Sequence, residues 1–417
     1  MIAERPVASK RRLLPAMLTL ALIGGACREE PRRPAAPTTT AAPAVPSAPA
    51  APAATTTAAP AAPGTRSARG EELERAQRTL EALIRAGASD PTNPWALAHG
   101  LLAFGPELKT SDGRLAIEVM VGDFAEQRTV DGRKLLVFPP RSAAGRPVEP
   151  HPDLIVKSLL EVEVPLSRRF PLKDGATVTL ERLVEDAAWK FEEPTDDAAW
   201  RRFAWSDSAW LDALADDGRV RTQRGELELD ALNARALAQL EKEQAFLEGP
   251  AASGRPDLVE KRKQGIFAHT CGGMHFIQAV TKWASRKQEP ALRARVLHQL
   301  ELLLFRWEAE RRIYRRMIEQ EPRYKVLLEI QQLKFYGHTL ETLGLAARWG
   351  LRLDASAEPQ VRALAADLLD TVRALEPTYG RAAQLFASSP QSYYDLIGDG
   401  CHAVRGLREA RLAFFRE

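Results

Sequence analysis

From Glu71 onward apolar residues return every three to four positions nearly throughout, and that period restricts the fold more than any other feature of the sequence. Residues 71–88 carry Leu73, Ala76, Leu80, Leu83 and Ile84 on one helical face. Pro94 opens a second, strongly apolar helix that runs to Phe104, since a proline is tolerated in a first turn. Ser111 or Asp112 is a candidate cap for a third helix with Ile117, Met120, Val121 and Phe124 inside. The same pattern predicts helices over 153–162, 180–191 and a Trp-rich stretch capped by Thr195 and broken near Ser206-Asp207, then over 226–248 and 265–286. Segments 292–319, 326–349, 358–375 and 391–415 complete the series. Pro290, Pro322, Pro359, Pro377 and Pro390 fall at or beside segment ends.

The helical period fails between Arg128 and Pro150, where Asp131-Gly132 between extended residues reads as a small β-hairpin. A second short extended piece precedes Leu180. The expectation is therefore an all-α domain with a minor β-hairpin insertion, its about twelve helices joined by short links into hairpins. Such a set closes into a double ring or stays an open superhelix, and the absence of a fixed-period repeat counts against the open array. The histidines favour the ring. His99, His151, His269, His275, His338 and His402 all fall on or beside even-numbered helices, and only His298 falls on an odd one. In a two-layer ring alternate helices line the centre.

The chain reaches that domain through two segments of another kind. Arg5, Lys10, Arg11 and Arg12 precede a short apolar run from Leu13 to Ile23, then Gly24, Gly25 and Ala26 lead into Cys27. This resembles the lipobox of bacterial lipoproteins, with Gly24 standing where that family usually has a larger apolar residue. The resemblance implies export, cleavage before Cys27 and lipidation of its sulfur, which would anchor the protein to the cell membrane or outer membrane. Residues 28–70 are then mostly Pro, Ala, Thr and Ser, which cannot bury a core. About 35 such residues at roughly 3 Å each give a tether on the order of 100 Å. The domains expected are thus 1–27 as signal and lipobox, 28–70 as tether and 71–417 as the helical body.

A formal net charge of +3 over 417 residues gives no case for nucleic acid as a partner. Arg306, Arg311, Arg312, Arg315, Arg316 and Arg323 are interleaved with Glu308, Glu310, Glu319 and Glu321, the pattern of a solvated, ion-paired helix face. Motifs for nucleotide loops, dinucleotide folds, α/β-hydrolases and zincins are missing. The tryptophans at 200, 205 and 210 read as core.

Reactive side chains concentrate in the stretch from His269 through Cys271 to His275, and again at Asp399, Cys401 and His402. Cys271 and His275 are four apart, so a helix would place both on one face, as zinc ligation needs. Cys401 and His402 diverge by about 100° on a regular helix unless Gly398 and Gly400 interrupt it, which their spacing leads us to expect. In an exported chain with Cys27 lipidated, Cys271 and Cys401 are also the two cysteines left to form a disulfide. Disulfide, zinc site and inert thiols stay open as alternatives. A metal-free acid/base site is a further one, built from His338, Tyr336, Glu341, Tyr393 and Tyr394, with Asp395 and Asp399 as extra carboxylates. Trp95, His99 and His269 are candidate cavity residues.

The helix count, the histidine placement and the Gly-rich turn at Cys271-Gly272-Gly273 resemble the α/α-toroid class, which includes terpenoid cyclases, protein prenyltransferases, lanthionine cyclases and (α/α)6 glycan-active enzymes. Similarity to lanthionine cyclases implies zinc on Cys271, Cys401 and His402. Similarity to prenyltransferases implies Asp399 and Cys401 with a separate histidine. The Trp-Cys and Cys-His-Gly contexts of the cyclases are absent. Taken together, the sequence leads us to expect an envelope lipoprotein whose helical ring binds a ligand, glycan or peptide, in a central cavity. The rival is an exported enzyme working by zinc or by acid/base chemistry in the region of Cys271, His275, Cys401 and His402.

Overall fold

The computed structural model describes residues 68–214 and 218–415. The signal segment, Cys27 and nearly all of the tether lie outside the described residues. The first helix begins at Ala68, inside the stretch assigned to the tether.

The described chain is predominantly helical, as the period requires. In order it comprises α1 (Ala68–Ala88), α2 (Pro94–Phe104), α3 (Ala116–Phe124), α4 (Leu154–Glu161), α5 (Leu180–Lys190), α6 (Asp197–Ala213) and α7 (Leu229–Gln244). There follow a short α8 (Glu248–Ala252), then α9 (Met274–Ser285), α10 (Pro290–Gln320), α11 (Lys325–Arg348), α12 (Glu358–Tyr379), α13 (Ala382–Ser388) and α14 (Pro390–Phe414). No described helix is long and apolar enough to cross a membrane.

Local chemistry sets the helix starts. The Asn93 side chain accepts from the Ala96 amide at 3.1 Å, with Pro94 in the first turn. Asp196, not Thr195, caps α6, accepting from the Ala199 amide at 2.7 Å. α6 then passes Ser206 and Asp207 unbroken, because Ser206 Oγ bonds the Asp153 carboxylate at 2.5 Å and Asn233 donates to Asp207 at 2.9 Å. Neither Ser111 nor Asp112 caps α3; Asp112 instead holds Thr110 and Arg114 in the preceding loop.

The extended content is three separate two-stranded antiparallel hairpins, more than the single insertion expected. β1 (Glu126–Val130) pairs with β2 (Arg133–Val137) across Asp131-Gly132, where the sequence placed a turn. β3 (Arg169–Pro171) pairs with β4 (Thr177–Thr179). β5 (Arg219–Thr222) pairs with β6 (Gly225–Glu228), a hairpin that helical periodicity absorbed into the start of α7.

Packing follows an order in space. α2 packs on α4, α4 on α6, α6 on α9, α9 on α11, α11 on α14, and α14 returns to α2. The remaining long helices α1, α3, α5, α7, α10 and α12 each contact members of that cycle. α11 and α14 form the most intimate pair. They run parallel, since Lys334 meets Asp395 and Asp399, Glu341 meets Arg405, and Arg348 meets Glu409. A Cβ on Gly337 would lie 2.9 Å from Ala403, and one on Gly406 only 2.5 Å from the Gly337 carbonyl, so the two backbones touch.

The final helix also corrects an expectation. Gly398 and Gly400 do not interrupt α14. They let Trp95 and the Ile84–Tyr379 pair press directly on its backbone. Glycine costs a helix interior about 1 kcal/mol against alanine, and close packing of large side chains offsets it.

Candidate metal centre

The contact between α11 and α14 is polar where a core contact would ordinarily be apolar. On α11, Lys334, His338 and Glu341 follow one another at helical spacing. On α14, Asp395, Asp399, His402 and Arg405 do the same. Lys334 Nζ lies 3.6 Å from Asp395 and 3.4 Å from Asp399. His402 Nδ1 donates to Glu341 at 2.7 Å, and Arg405 reaches the other Glu341 oxygen at 3.1 Å. Arg405 also binds Glu161 at 3.1 Å, which holds Lys157 at 2.9 Å. That charged group closes one side of a cluster of imidazoles.

Four histidines from four helices form the cluster. The rings of His338 and His402 have centroids 3.8 Å apart, with His275 5.1 Å from His338 and 5.2 Å from His402. His99 stands 5.2 Å from His402 on the other side. His99 Nδ1 donates to the Trp95 carbonyl at 2.7 Å, and the Trp95 ring lies tilted against it at 4.1 Å.

Cys271 joins from the turn that starts α9. Cys271, Gly272 and Gly273 have φ of +51°, +62° and +79°, three left-handed residues in a row. Such a turn suits glycine, and a β-carbon on Gly273 would collide with Ile266 at 2.3 Å. The cysteine occupies it because Arg306 fixes the loop. Arg306 donates to the Gly272 carbonyl at 2.7 Å and to Glu310 at 2.7 Å, and its guanidinium lies over Phe267 and Phe335. Arg306 and Glu310 are both buried, so these two do not belong to the solvated face that the sequence suggested. Lys261 completes the anchor, with Nζ 2.5 Å from Glu310.

Two donor sets result, each with its ligand atoms within 4.8 Å of one another: Cys271, His275 and His338, and His338, Glu341 and His402. His275 Nδ1, both nitrogens of His338, and His402 Nε2 are buried without a hydrogen-bond partner. The nearest carboxylate oxygens to His338 are at 3.5 Å on Glu341 and 3.6 Å on Asp399, which is ion-pair rather than hydrogen-bond range. Orphaned nitrogens at this depth are costly unless something binds them. A transition-metal ion fits the donors.

The electrostatics agree with that fit. Burial, reinforced by Lys157 and His338, keeps His275 far below the usual imidazole range. Burial and the neighbouring His338 hold His402 down at about 4, against the pull of Glu341. Burial and His402 likewise depress His99. These rings are neutral, the state in which imidazole ligates. His338 goes the other way: burial opposes its charging, but Cys271, Asp399 and Glu341 overcome that and raise it. Burial would raise Glu341, but His402, His338 and Arg405 hold it well below the carboxylate range. One positive charge is therefore favoured at His338, as its proton in the metal-free protein or as an ion that replaces that proton when the ring ligates.

Other predicted residues lie elsewhere. Cys271 and Cys401 are both free thiols, so of the alternatives left open the bridge is not formed. Cys401 belongs to neither donor set. It is fully buried, and burial with Asp399 nearby pushes its thiol up. Its neighbour His402, one helical step round, points into the cluster instead. His269 lies against the Glu243 carboxylate and stacks on Phe276 at 5.2 Å. The Tyr336 hydroxyl accepts from Gln332 at 3.3 Å, and burial with Asp367 and Tyr314 nearby raises it. Tyr393 and Tyr394 pack on Phe386. Of the acid/base set, His338 and Glu341 are brought together and the three tyrosines are not. Sequence reasoning passed over Lys334, Arg405, Glu161 and Lys157, whose signal was charge at helical spacing inside otherwise apolar helices. Against known proteins, no family model matches this chain, and no curated protein or solved structure matches it.

Proposed function

We propose that this chain is an exported lipoprotein whose helical domain, an α/α toroid, holds one transition-metal ion at its centre. Cys271, His275 and His338 are the primary ligands, and His402 Nε2 supplies the fourth position. Four N and S donors of this kind make a tetrahedral site of the type zinc and copper ions occupy. Glu341 orients His402 through Nδ1, the outer-shell carboxylate that ligating histidines usually have. The toroid reading is supported by the closed order of contacts from α2 through α4, α6, α9, α11 and α14 back to α2, and by the histidines on that layer. The lipobox and the Pro/Ala/Thr tether support display of the domain away from a membrane surface.

The observation that carries the metal assignment is the set of buried, partnerless imidazole nitrogens facing a thiol from a strained turn. Elemental analysis of the full chain, purified with its signal processed and again as the Cys271→Ser and His338→Ala variants, tests it. One equivalent of metal in the parent and a loss in both variants is the expected result. Equal, trace metal in all three would refute it. Incorporation of a labelled fatty acid that disappears in Cys27→Ser tests the anchor separately.

A further inference from the structure

The ligands sit at one point of a longer row of rings. Trp205, only 2% exposed, lies with its centroid 5.1 Å from His275. His151 stacks on Trp205 at 4.2 Å with an interplanar angle of 13°, and His151 is partly exposed. On the far side the row continues from His402 to His99 at 5.2 Å, Trp95 at 4.1 Å and Tyr394 at 6.0 Å. The first branch ends at the half-buried His151 and the second at the buried Tyr394. The first has one ring between an imidazole ligand and a residue that meets solvent.

Two further observations restrict the chemistry. His275, His338 and His402 are 4%, 0% and 1% exposed while Cys271 is half-buried, so on the imidazole side a substrate would have to displace core packing to reach the ion. An electron would not. The three primary donors, Cys271, His275 and His338, are also the His2Cys set used by copper electron-transfer sites, here with His402 in the fourth position, and copper(II) stands above zinc in affinity for a given N/S site. The Arg306–Gly272 bond and the buried Glu310 hold the sulfur-bearing turn in place, which suits a site that changes charge without changing shape.

We propose that the centre takes copper and exchanges single electrons with a donor at the surface through His275, Trp205 and His151. This rests on the metal assignment above. In the step, copper(II) gains one electron and becomes copper(I), and an external one-electron reductant loses one. The copper–sulfur and copper–nitrogen bonds remain, and no proton moves.

The test uses the full chain with Cys27→Ser, stripped of metal and reloaded with one equivalent of copper(II) or zinc. Copper should produce a thiolate-to-copper charge-transfer absorption, absent from Cys271→Ser. Reduction by hexaammineruthenium(II), followed by the loss of that band, should slow several-fold in Trp205→Leu and in His151→Ala. It should stay near the parent rate in Trp205→Phe and in Trp95→Leu. His151 is partly exposed, so His151→Ala keeps the test alive if the Trp205→Leu chain does not fold. Copper bound with its sulfur band intact and reduced at the parent rate in both Trp205→Leu and His151→Ala overturns the conduit. Stoichiometric zinc with no sulfur-to-copper band on copper loading overturns the copper site while leaving the metal assignment standing. Failure of both metals to bind refutes the assignment itself.

Discussion

His402 Nδ1 donates to one oxygen of Glu341 at 2.7 Å, while Arg405 takes the other oxygen at 3.1 Å. Because a carboxylate only accepts here, the proton of His402 must sit on Nδ1, which leaves Nε2 bare and aimed at the cluster. Glu341→Gln breaks this arrangement. Loss of an outer-shell carboxylate typically costs about 10–100-fold in metal affinity. The metal-free fold should also lose about 3–5 kcal/mol, because Arg405 keeps its charge in a buried place with one partner fewer. Metal titration by calorimetry and urea unfolding measure the two effects independently.

The contact of α11 with α14 leaves no room at Gly337. Gly337→Ala forces a methyl group to 2.9 Å from Ala403, and Gly406→Ala drives one to 2.5 Å from the Gly337 carbonyl. Each should cost about 1–3 kcal/mol by overpacking, the second more than the first because it meets backbone. Denaturant midpoints at unchanged slope would confirm a pure stability loss. A Gly406→Ala chain as stable as the parent would show that the helices are not in backbone contact.

The depressed imidazoles should cost the metal-free domain stability on acidification. His402 and His151 are each held at about 4, below an unfolded value near 6.5, so the unfolded chain binds their protons first. Their contribution is complete above pH about 6.5 and is lost as pH falls toward about 4, by up to about 3 kcal/mol per ring. His99 and His275 are depressed for the same reason and add to the loss. His338 is raised and opposes them, contributing stability at low pH that disappears as pH rises through its folded value. Glu149 and Asp207, raised by burial to about 8 and about 7, oppose the loss as well, so the rings are isolated by difference. Between pH 7 and 4.5 the thermal midpoint of the metal-free His402→Gln variant should fall less, or rise more, than that of the metal-free parent.

Arg306→Lys isolates the role of the turn. A lysine keeps a positive charge near Glu310 but lacks the fork that reaches both that carboxylate and the Gly272 carbonyl. Metal affinity should weaken, and in the metal-free protein Cys271 should alkylate faster, since its turn is no longer pinned. An unchanged alkylation rate with unchanged affinity would show that the loop holds itself.

Much of the helical frame was legible because its apolar period is long and its punctuation by proline is regular. The hairpin of β5 and β6 was not: four-residue strands beside a helix give too few alternations to outweigh the neighbouring 3.6-residue period. Glycines 398 and 400 misled because propensity marks them as breakers, whereas here they admit Trp95, Ile84 and Tyr379. The places of His99, His275, His338 and His402 on alternate helices of the count hinted at their meeting, whereas His269, read with them, lies against Glu243 and Phe276. Which of Cys401 and His402 faces inward was not legible, because that depends on the rotation of α14 against α11. The left-handed turn at Cys271 was also hidden: Arg306, which fixes it, lies 34 residues beyond Gly272.

X-ray absorption at the metal edge of the full chain, loaded with one equivalent, tests the central assignment most directly. The account predicts one sulfur neighbour at about 2.3 Å and nitrogen neighbours at about 2.0–2.1 Å, with the sulfur gone in Cys271→Ser. A first shell of oxygen and nitrogen alone, unchanged by that substitution, would contradict it.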